Sequence, residues 1–167
     1  FAEVIFNIPS PRIGLLNNGE ESTKGRDLEK NTYKLLKNSN LNFIGNIEGR
    51  DFGLDTADVF VTDGFTGNMV LKTMEGTARL QQKMIKESFL ENLFKPLLLP
   101  VNKALKPVKD RLDPDKTNGA YLLGVNGIVT IAHGSSSAEA VKNSIVFSNK
   151  TVESGFISKF TETISKI

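Results

Sequence analysis

Residues 58–68 read DVFVTDGFTGN, and this stretch decides the fold class. Its first part, residues 58–62, is a compact apolar run of the kind that forms a strand buried on both faces of a parallel sheet. A turn containing two glycines follows, and a long helical pattern then runs from about residue 67 to residue 91. A buried strand that turns directly into a helix predicts an α/β fold.

The segments on both sides of this unit follow a similar order. Upstream, a short apolar strand is followed by a polar turn, a helix and a second strand, and downstream two more strands precede two helices. We therefore predict one α/β unit over residues 1–167. The predicted strands lie at 12–17, 41–45, 58–62, 121–124 and 127–132, and the predicted helices lie at 26–38, 67–91, 137–148 and 151–165.

Residues 80–116 interrupt this order and predict a helical insertion. Four prolines between residues 96 and 114 each end or kink a helix. Within the insertion, the stretch 83–112 is apolar and basic, and its first 27 residues carry six lysines against two glutamates. Such a stretch fits a homodimer interface or packing on the protein's own sheet, and it also fits an anionic membrane surface.

The composition narrows the classes of function. The 167 residues contain no cysteine and one histidine, which excludes disulfide frameworks, thiolate zinc sites and cysteine nucleophiles. The formal net charge of +2 is too small to indicate nucleic-acid binding. Because no apolar run reaches the roughly 18–20 residues of a membrane-spanning helix, we expect a cytosolic protein. The chain opens without an initiator Met, which favours a piece of a larger protein.

The loop after the strand at 58–62 carries chemically useful side chains. Ligands of open α/β sheets bind outside the carboxyl ends of the strands, which is where Asp63 stands. A carboxylate there acts as a general base or orients one. Gly64 and Gly67 permit a tight turn into a helix whose first amides bind an anion. The alternative is a capping Asp followed by ordinary turn glycines.

A second strand-end loop lies at residues 132–139. Its three consecutive serines and the amides of a helix start fit a phosphate nest. His133 is the single imidazole, so an acid/base step carried by histidine must use it. The alternative is a helix capped by Ser137 beside a hydrogen-bonded histidine. The sequence lacks a Gly-x-Ser-x-Gly elbow, which argues against a serine nucleophile at Ser135.

A third loop, residues 17–25, follows the first predicted strand. Lys24 and the next basic residue, Arg26, are placed to meet an anionic group. The alternative is that both are solvated loop charges, which is the usual place of lysine and arginine.

Several stretches of this sequence resemble the PlsX family of acyl-carrier-protein:phosphate acyltransferases. The most specific block is 58–68 followed by Lys72 and the pair Glu75-Gly76. The order and spacing fit across nearly the whole chain, which is about half as long as a family protein and resembles its carboxyl-terminal half. The other matching stretches are 11–25, 43–51, 119–127 and 132–136.

This resemblance implies a three-layer Rossmann-like sheet, related to phosphate acetyltransferases and isocitrate-dehydrogenase-like enzymes, with residues 80–116 forming a protruding helical hairpin. It implies transfer of a long acyl chain from acyl carrier protein to inorganic phosphate, without a cofactor or metal, in bacterial phospholipid synthesis. It also implies a cytoplasmic homodimer associated peripherally with the membrane that binds no nucleic acid. The lysines of 83–112 then gain a third interpretation, as a surface that steers the acidic acyl carrier protein.

Attack of phosphate on a thioester needs a site that gathers the anion, holds it about 3 Å from the carbonyl carbon and stabilises an oxyanion. With the family's motifs as a guide, we expect the loops at 63–68 and 133–136 to face one cleft. The expected catalytic residues are Asp63, His133 and Ser135. The expected substrate-binding residues are Asn17, Lys24, Gly64, Thr66, Gly67, Asn68, Lys72, Asn126, Gly134 and Ser136.

Two other classes of protein stay open at this point. A nucleotide-dependent dehydrogenase on a similar sheet predicts a Gly-x-Gly-x-x-Gly turn with an acidic residue about 20 positions later. No such turn occurs in these residues. A non-catalytic fragment that only dimerises or binds a membrane is the other alternative.

Overall fold

The computed structural model describes residues 1–91, 103, 106, 107, 120–132, 134 and 136–165. The chain divides into two compact units, Phe1–Leu71 and Lys72–Ile167. The first unit holds a parallel sheet and the second holds an antiparallel strand pair. Together with the helices, these sheets confirm the predicted α/β class.

Three parallel strands form the sheet of the first unit. The central strand β1 (Ile13–Leu16) lies between β2 (Phe43–Ile47) and β3 (Val59–Val61). Every residue of β1 is buried, as expected for the middle of a parallel sheet. Because β1 and β3 are adjacent and parallel, the loops that leave their carboxyl ends emerge side by side.

Two short helices and one 3-10 turn complete the connections around this sheet. They are α1 (Ala2–Ile5), α2 (Asp27–Lys37) and the 3-10 turn Gly49–Asp51. Helix α2 connects β1 to β2, and the ring of Tyr33 packs edge-on against Phe43 with 5.2 Å between the centroids. The pattern did not predict α1, because one helical turn is too short to show a helical repeat.

The long helix α3 (Gly64–Glu91) starts three residues before the position predicted from the pattern. The carboxylate of Asp63 accepts a hydrogen bond from the backbone N–H of Thr66 at 2.8 Å, as an N-cap does. The residues predicted as a glycine turn are therefore the first turn of the helix.

The second unit contains β4 (Ala120–Tyr121) and β5 (Thr130–Ile131), which pair antiparallel, and the helices α4 (Ala138–Glu153) and α5 (Phe156–Ile164). The hydroxyl of the fully buried Thr151 lies 2.7 Å from the hydroxyl of Tyr121. The break between α4 and α5 comes at Gly155, where φ is 66°, and therefore later than the pattern predicted. Glycine adopts this left-handed conformation without steric cost.

The predicted insertion at 80–116 is described only in part. Its first residues continue α3 to Glu91, and most of 92–119 lies outside the described residues. The helical hairpin therefore stays a prediction. Among the described helices, none combines the length and apolar character needed to cross a membrane.

Candidate active site

A cavity of about 520 Å³ opens at the carboxyl edge of the parallel sheet, in the first unit. Its walls come from the end of β1, the loop that follows, the first turn of α2 and the first turns of α3. Such an edge is where open α/β sheets bind their ligands. The lining residues are Leu16, Asn17, Asn18, Gly25, Arg26, Glu29, Gly49, Thr66 and Val70.

The loop between β1 and α2 is shaped by the side chain of Asn17. Its Nδ2 donates to the carbonyl oxygen of Lys24 at 3.2 Å, and its Oδ1 accepts from the backbone N–H of Asn18 at 2.8 Å. Gly25 has φ of 89°, and a Cβ there would lie 2.7 Å from Oδ1 of Asn17. The loop therefore requires glycine at this position, both for conformation and for space.

Helix α2 begins with a reciprocal contact between Arg26 and Glu29. The backbone N–H of Arg26 donates to Oε2 of Glu29 at 2.7 Å, and the guanidinium also bonds both carboxylate oxygens. Glu29 is only 8% exposed. The hydrogen bond from the Arg26 side chain lowers the pKa of Glu29 against the effect of its burial. Glu29 is therefore an ionised, buried anchor for the arginine.

The carboxylate of Asp63 accepts three hydrogen bonds at the opening of α3. Two come from Thr66, from its backbone N–H at 2.8 Å and its hydroxyl at 2.6 Å. The third comes from Nη2 of Arg26 at 2.6 Å. The bonds from Thr66, and then the bond from Arg26, hold the pKa of Asp63 well below its usual range. A carboxylate this acidic is a weak general base, so the geometry favours an orienting role for Asp63.

Arg26 joins the two strand-end loops. Its guanidinium contacts Glu29 on α2 and Asp63 before α3, although 37 residues separate Arg26 from Asp63 in sequence. Both carboxylates raise the pKa of Arg26, with Glu29 contributing more. The cluster of one cation and two anions carries a net charge of −1, so the positive charge for a bound anion must come from other groups.

Three of the residues predicted as site residues meet around this cavity. Asn17 and Thr66 line it, and Asp63 is bonded to both Thr66 and the lining residue Arg26. Gly67 lies in the first turn of α3, where an added Cβ would approach the Cγ2 of Thr62 at 2.8 Å.

Three further predicted residues lie near the cavity walls or along α3. Gly64 is the first residue of α3 and Asn68 is an exposed residue of its second turn. Lys24 contributes the carbonyl that Asn17 holds. Their substrate contacts stay predictions.

The remaining predicted residues belong to the second unit. Lys72 pairs with Glu75 at 2.9 Å on α3. Asn126 and Gly134 are exposed, and Ser136 is half-buried just before α4. His133 and Ser135 lie outside the described residues. Their catalytic roles, and the expectation that their loop faces the loop of Asp63, stay predictions.

Reasoning from the sequence missed the part that Arg26 and Glu29 play. Arg26 was expected either to meet an anionic ligand or to be solvated, and the structure bonds it to two carboxylates instead. Part of this contact follows from the spacing, because a Glu at the third helical position reaches back to the N-cap backbone N–H, as in one half of a capping box. Nothing local indicated the second partner, Asp63.

No group of three or more His, Cys, Asp or Glu residues in the described ranges lies close enough together to hold a metal ion.

Comparisons with known proteins agree with one another. A family model described as fatty acid synthesis protein matches residues 1–159. Proteins named phosphate acyltransferase are similar to this chain in Elusimicrobium minutum (44% identity over 99% of this chain), Pelotomaculum thermopropionicum (46% over 100%) and Pediococcus pentosaceus (47% over 95%). The matched parts cover 49%, 49% and 46% of those relatives. The chain thus spans about half the length of the curated relatives it matches.

Proposed function

Since this chain belongs to the PlsX family of fatty acid synthesis proteins, as its motifs predicted, we propose that it forms part of a phosphate acyltransferase. The reaction moves an acyl group from acyl carrier protein to inorganic phosphate. The acyl phosphate product then serves phospholipid synthesis. The substrates and the activity of the whole protein rest on the family and on the names of relatives about twice as long.

The observation that best supports this proposal is the cavity beside Asp63 at the carboxyl edge of the parallel sheet. Its volume of about 520 Å³ exceeds what a phosphate ion needs, so there is also space for part of a thioester arm. Leu16 and Val70 give it apolar walls, while Asn17 and Asn18 bring amide groups. A mixed lining of this kind suits a substrate that joins a charged nucleophile to an uncharged thioester.

The proposed step is a direct acyl transfer. A phosphate oxygen forms a bond to the thioester carbonyl carbon, the carbon–sulfur bond breaks, and the electron pair leaves on the carrier thiolate, which takes up a proton. Because phosphate already carries negative charge near neutral pH, the attack requires positioning more than a strong base. Asp63, kept ionised by Thr66 and Arg26, orients donors at the cavity in this scheme.

The serine loop supplies the other groups in this proposal. Ser135 and Ser136, with the amide of Gly134, hold phosphate or the developing oxyanion. His133 gives the proton to the leaving thiolate. Lys24 and Lys72 supply positive charge, and Asn68 and Asn126 hydrogen-bond the thioester or the phosphate. These roles follow from the family motifs in the sequence.

The experiment that tests the function measures acyl phosphate formed from acyl carrier protein thioester and phosphate by the complete protein that contains this chain. We expect thioester loss that depends on phosphate. Ser135→Ala is expected to reduce turnover strongly, whereas Ser158→Ala, an exposed serine of α5, serves as the matched control. A folded complete protein without phosphate-dependent thioester loss would rule out this function.

We further propose a cytoplasmic homodimer that associates peripherally with the membrane, with residues 83–112 as the contact. The basic and apolar sequence of this stretch supports a dimer interface, a membrane contact or a docking surface for acyl carrier protein. Liposome flotation of Leu97→Glu and Leu98→Glu separates these possibilities. Unchanged lipid binding by both variants excludes the membrane contact.

A further inference from the structure

The contact between Arg26 and Asp63 connects two loops at the same edge of the sheet. One loop leaves β1 and the other leaves β3, and the two strands are adjacent and parallel. Arg26 lies at the start of α2 and lines the cavity, and Asp63 lies at the start of α3. Their side chains meet at 2.6 Å between Nη2 and Oδ2.

We propose that Arg26 is a positioning residue for phosphate. Because its guanidinium bonds both Glu29 and Asp63, it fixes the position of the first turn of α3 at the cavity. It also offsets carboxylate charge beside the bound anion. This inference rests on the proposed function, because it assumes that phosphate binds in this cavity. Arg26 acts through its two carboxylate partners, so it is distinct from the groups that contact the substrate.

The anchor for this arrangement is Glu29. Its carboxylate is buried and accepts from the backbone N–H of Arg26 at 2.7 Å, which fixes the base of the arginine side chain. Nε of Arg26 donates to the two carboxylate oxygens at 3.1 Å each. A planar guanidinium held along one edge in this way has a defined direction for its remaining donors. Glu29 therefore holds the guanidinium in the orientation from which it donates to Asp63.

The other side of the contact is the opening of α3. Asp63 bonds the backbone and hydroxyl of Thr66, and Thr66 lines the cavity. A shift of Asp63 therefore shifts Thr66 and the first amides of the helix. Misplacement by about 1 Å of groups that hold a substrate is enough to reduce turnover by about 100-fold.

Charge gives Arg26 a second effect. Without it, the carboxylates of Glu29 and Asp63 stand at the cavity with no bonded guanidinium, and both repel a phosphate anion. Loss of one full charge near an anion site with partial solvent access is expected to weaken phosphate binding by about tenfold or more. The side chain of Arg26 is 61% exposed, so its ion pair with Asp63 is expected to contribute little to global stability.

The arginine at position 50 provides a matched control. Arg50 also pairs with two carboxylates, Glu20 and Glu48, each at 2.9 Å, and its side chain is 68% exposed. It is not among the residues that line the cavity. Replacement of Arg50 therefore removes an arginine with the same type of partners while leaving the Asp63 loop intact.

The test uses the complete protein with Arg26→Ala, Arg26→Lys, the double variant Arg26→Ala with Asp63→Asn, and Arg50→Ala. Steady-state kinetics measure kcat and both KM values, and calorimetry measures binding of inorganic phosphate alone. Arg26→Ala is expected to raise the phosphate KM and Kd about tenfold while changing the KM for the acyl donor little. Arg26→Lys recovers part of the loss, and the double variant recovers phosphate affinity because a repelling charge is gone.

The outcomes separate this inference from the function on which it rests. A wild-type protein that binds phosphate without acyl transfer contradicts the function, and the Kd values of the variants still decide the role of Arg26. Equal phosphate Kd in wild type, Arg26→Ala and Arg50→Ala overturns the inference, even if the wild type is active. A wild type that neither binds phosphate nor turns over overturns both. If Arg26→Ala does not fold, Arg26→Lys carries the same comparison.

Discussion

Two arginines, one before and one after the central strand β1 in the chain, can be compared directly. Arg12 directly precedes β1 and bonds Asp55 and Asp58, with Nη2 at 2.9 and 3.0 Å from the two carboxylates. Arg26 follows the strand-end loop and bonds Glu29 and Asp63. Each arginine therefore has two carboxylate partners. Both partners of Arg12 lie in the segment before β3, whereas one partner of Arg26, Asp63, lies in the loop after β3.

The difference lies in what surrounds the two clusters. Arg12 also bonds Asp58 through its backbone N–H at 2.7 Å, and its carbonyl accepts from the amides of Asp58 and Val59. That cluster continues the strand pairing at the amino edge of the sheet. Arg26 lines the cavity, and Arg12 does not. The same ion-pair chemistry holds the sheet together at one edge and shapes a candidate site at the other, where α2 and α3 begin.

The largest expected effect comes from exchanging the aspartates of the two clusters for alanine. Asp63→Ala is expected to lower kcat for acyl transfer by about 100-fold, because the opening of α3 loses the carboxylate that positions Thr66. Asp58→Ala is expected to lower the melting temperature and to leave kcat close to wild type. Kinetics and thermal melts of both variants measure the contrast. Equal losses of activity in the two variants would remove the functional difference between the edges.

Replacing Gly25 or Gly53 with alanine compares the backbone requirements of the loops at the two edges. Both have positive φ, 89° beside Arg26 and 81° near Asp55, but only Gly25 has side chains within 4 Å of an added Cβ. Gly53→Ala is expected to lower the free energy of unfolding by about 1–2 kcal/mol from conformation alone. Gly25→Ala is expected to cost about 1–3 kcal/mol more from overlap with Asn17 and Glu29. Urea unfolding measures both, and equal costs would contradict the crowded loop.

Replacing Gly14 tests the packing of β1, the strand that separates the two arginine clusters. A Cβ on Gly14 would overlap the side chain of Ile47, which is buried on β2. Gly14→Ala is therefore expected to lower the free energy of unfolding by about 1–3 kcal/mol. Gly76→Ala, in open space on α3, is the control and is expected to raise it by about 0.5–1 kcal/mol. Urea unfolding measures both variants. An unchanged free energy of unfolding for Gly14→Ala would contradict tight packing between β1 and β2.

The smallest expected effect is the pH dependence of the amino-edge cluster. The hydrogen bonds from the side chain and then the backbone of Arg12 hold the pKa of Asp58 at about 2, below its ordinary value of 3.8. Because the folded-state pKa is depressed, this pair stabilises the protein fully above about pH 4, and the stabilisation is lost as the pH falls towards 2.

Denaturation midpoints measured between pH 6 and pH 2 check this sign. The difference between wild type and Asp58→Asn is expected to shrink as the pH falls through that window. Asp55→Asn is the control, since the side chain of Asp55 is 94% exposed. A difference between wild type and Asp58→Asn that stays constant with pH contradicts a depressed pKa.

Local patterns were enough to predict most of the elements. The apolar run before Asp63 predicted β3, and the helical repeat after it predicted α3. Boundaries moved where one side chain or one dihedral angle decides them: Asp63 starts α3 early, and Gly155 ends α4 late. The pattern has no access to such contacts, because periodicity records faces and not individual hydrogen bonds.

The candidate site divides in the same way. Asp63, Thr66 and Asn17 were predicted as site residues because they follow strands and stand in family motifs. The structure brings them together at the cavity, and their roles stay predictions. The family itself is confirmed by the match over residues 1–159. Arg26 and Glu29 were not predicted to act together with Asp63. The contact between Arg26 and Asp63 spans 37 residues, and it exists only because β1 and β3 are neighbours.

The sequence by itself therefore determined the α/β class, the family and the loops in which chemistry is expected, since apolar runs, helical repeats and turn residues are local properties of the chain. Only the tertiary structure decided which loops share a cavity and which charges are paired. The order β2-β1-β3 brings the ends of β1 and β3 together, and that adjacency turns Arg26 from a loop charge into a connection between two helix openings. Pairing of distant charges depends on strand order, which no local pattern contains.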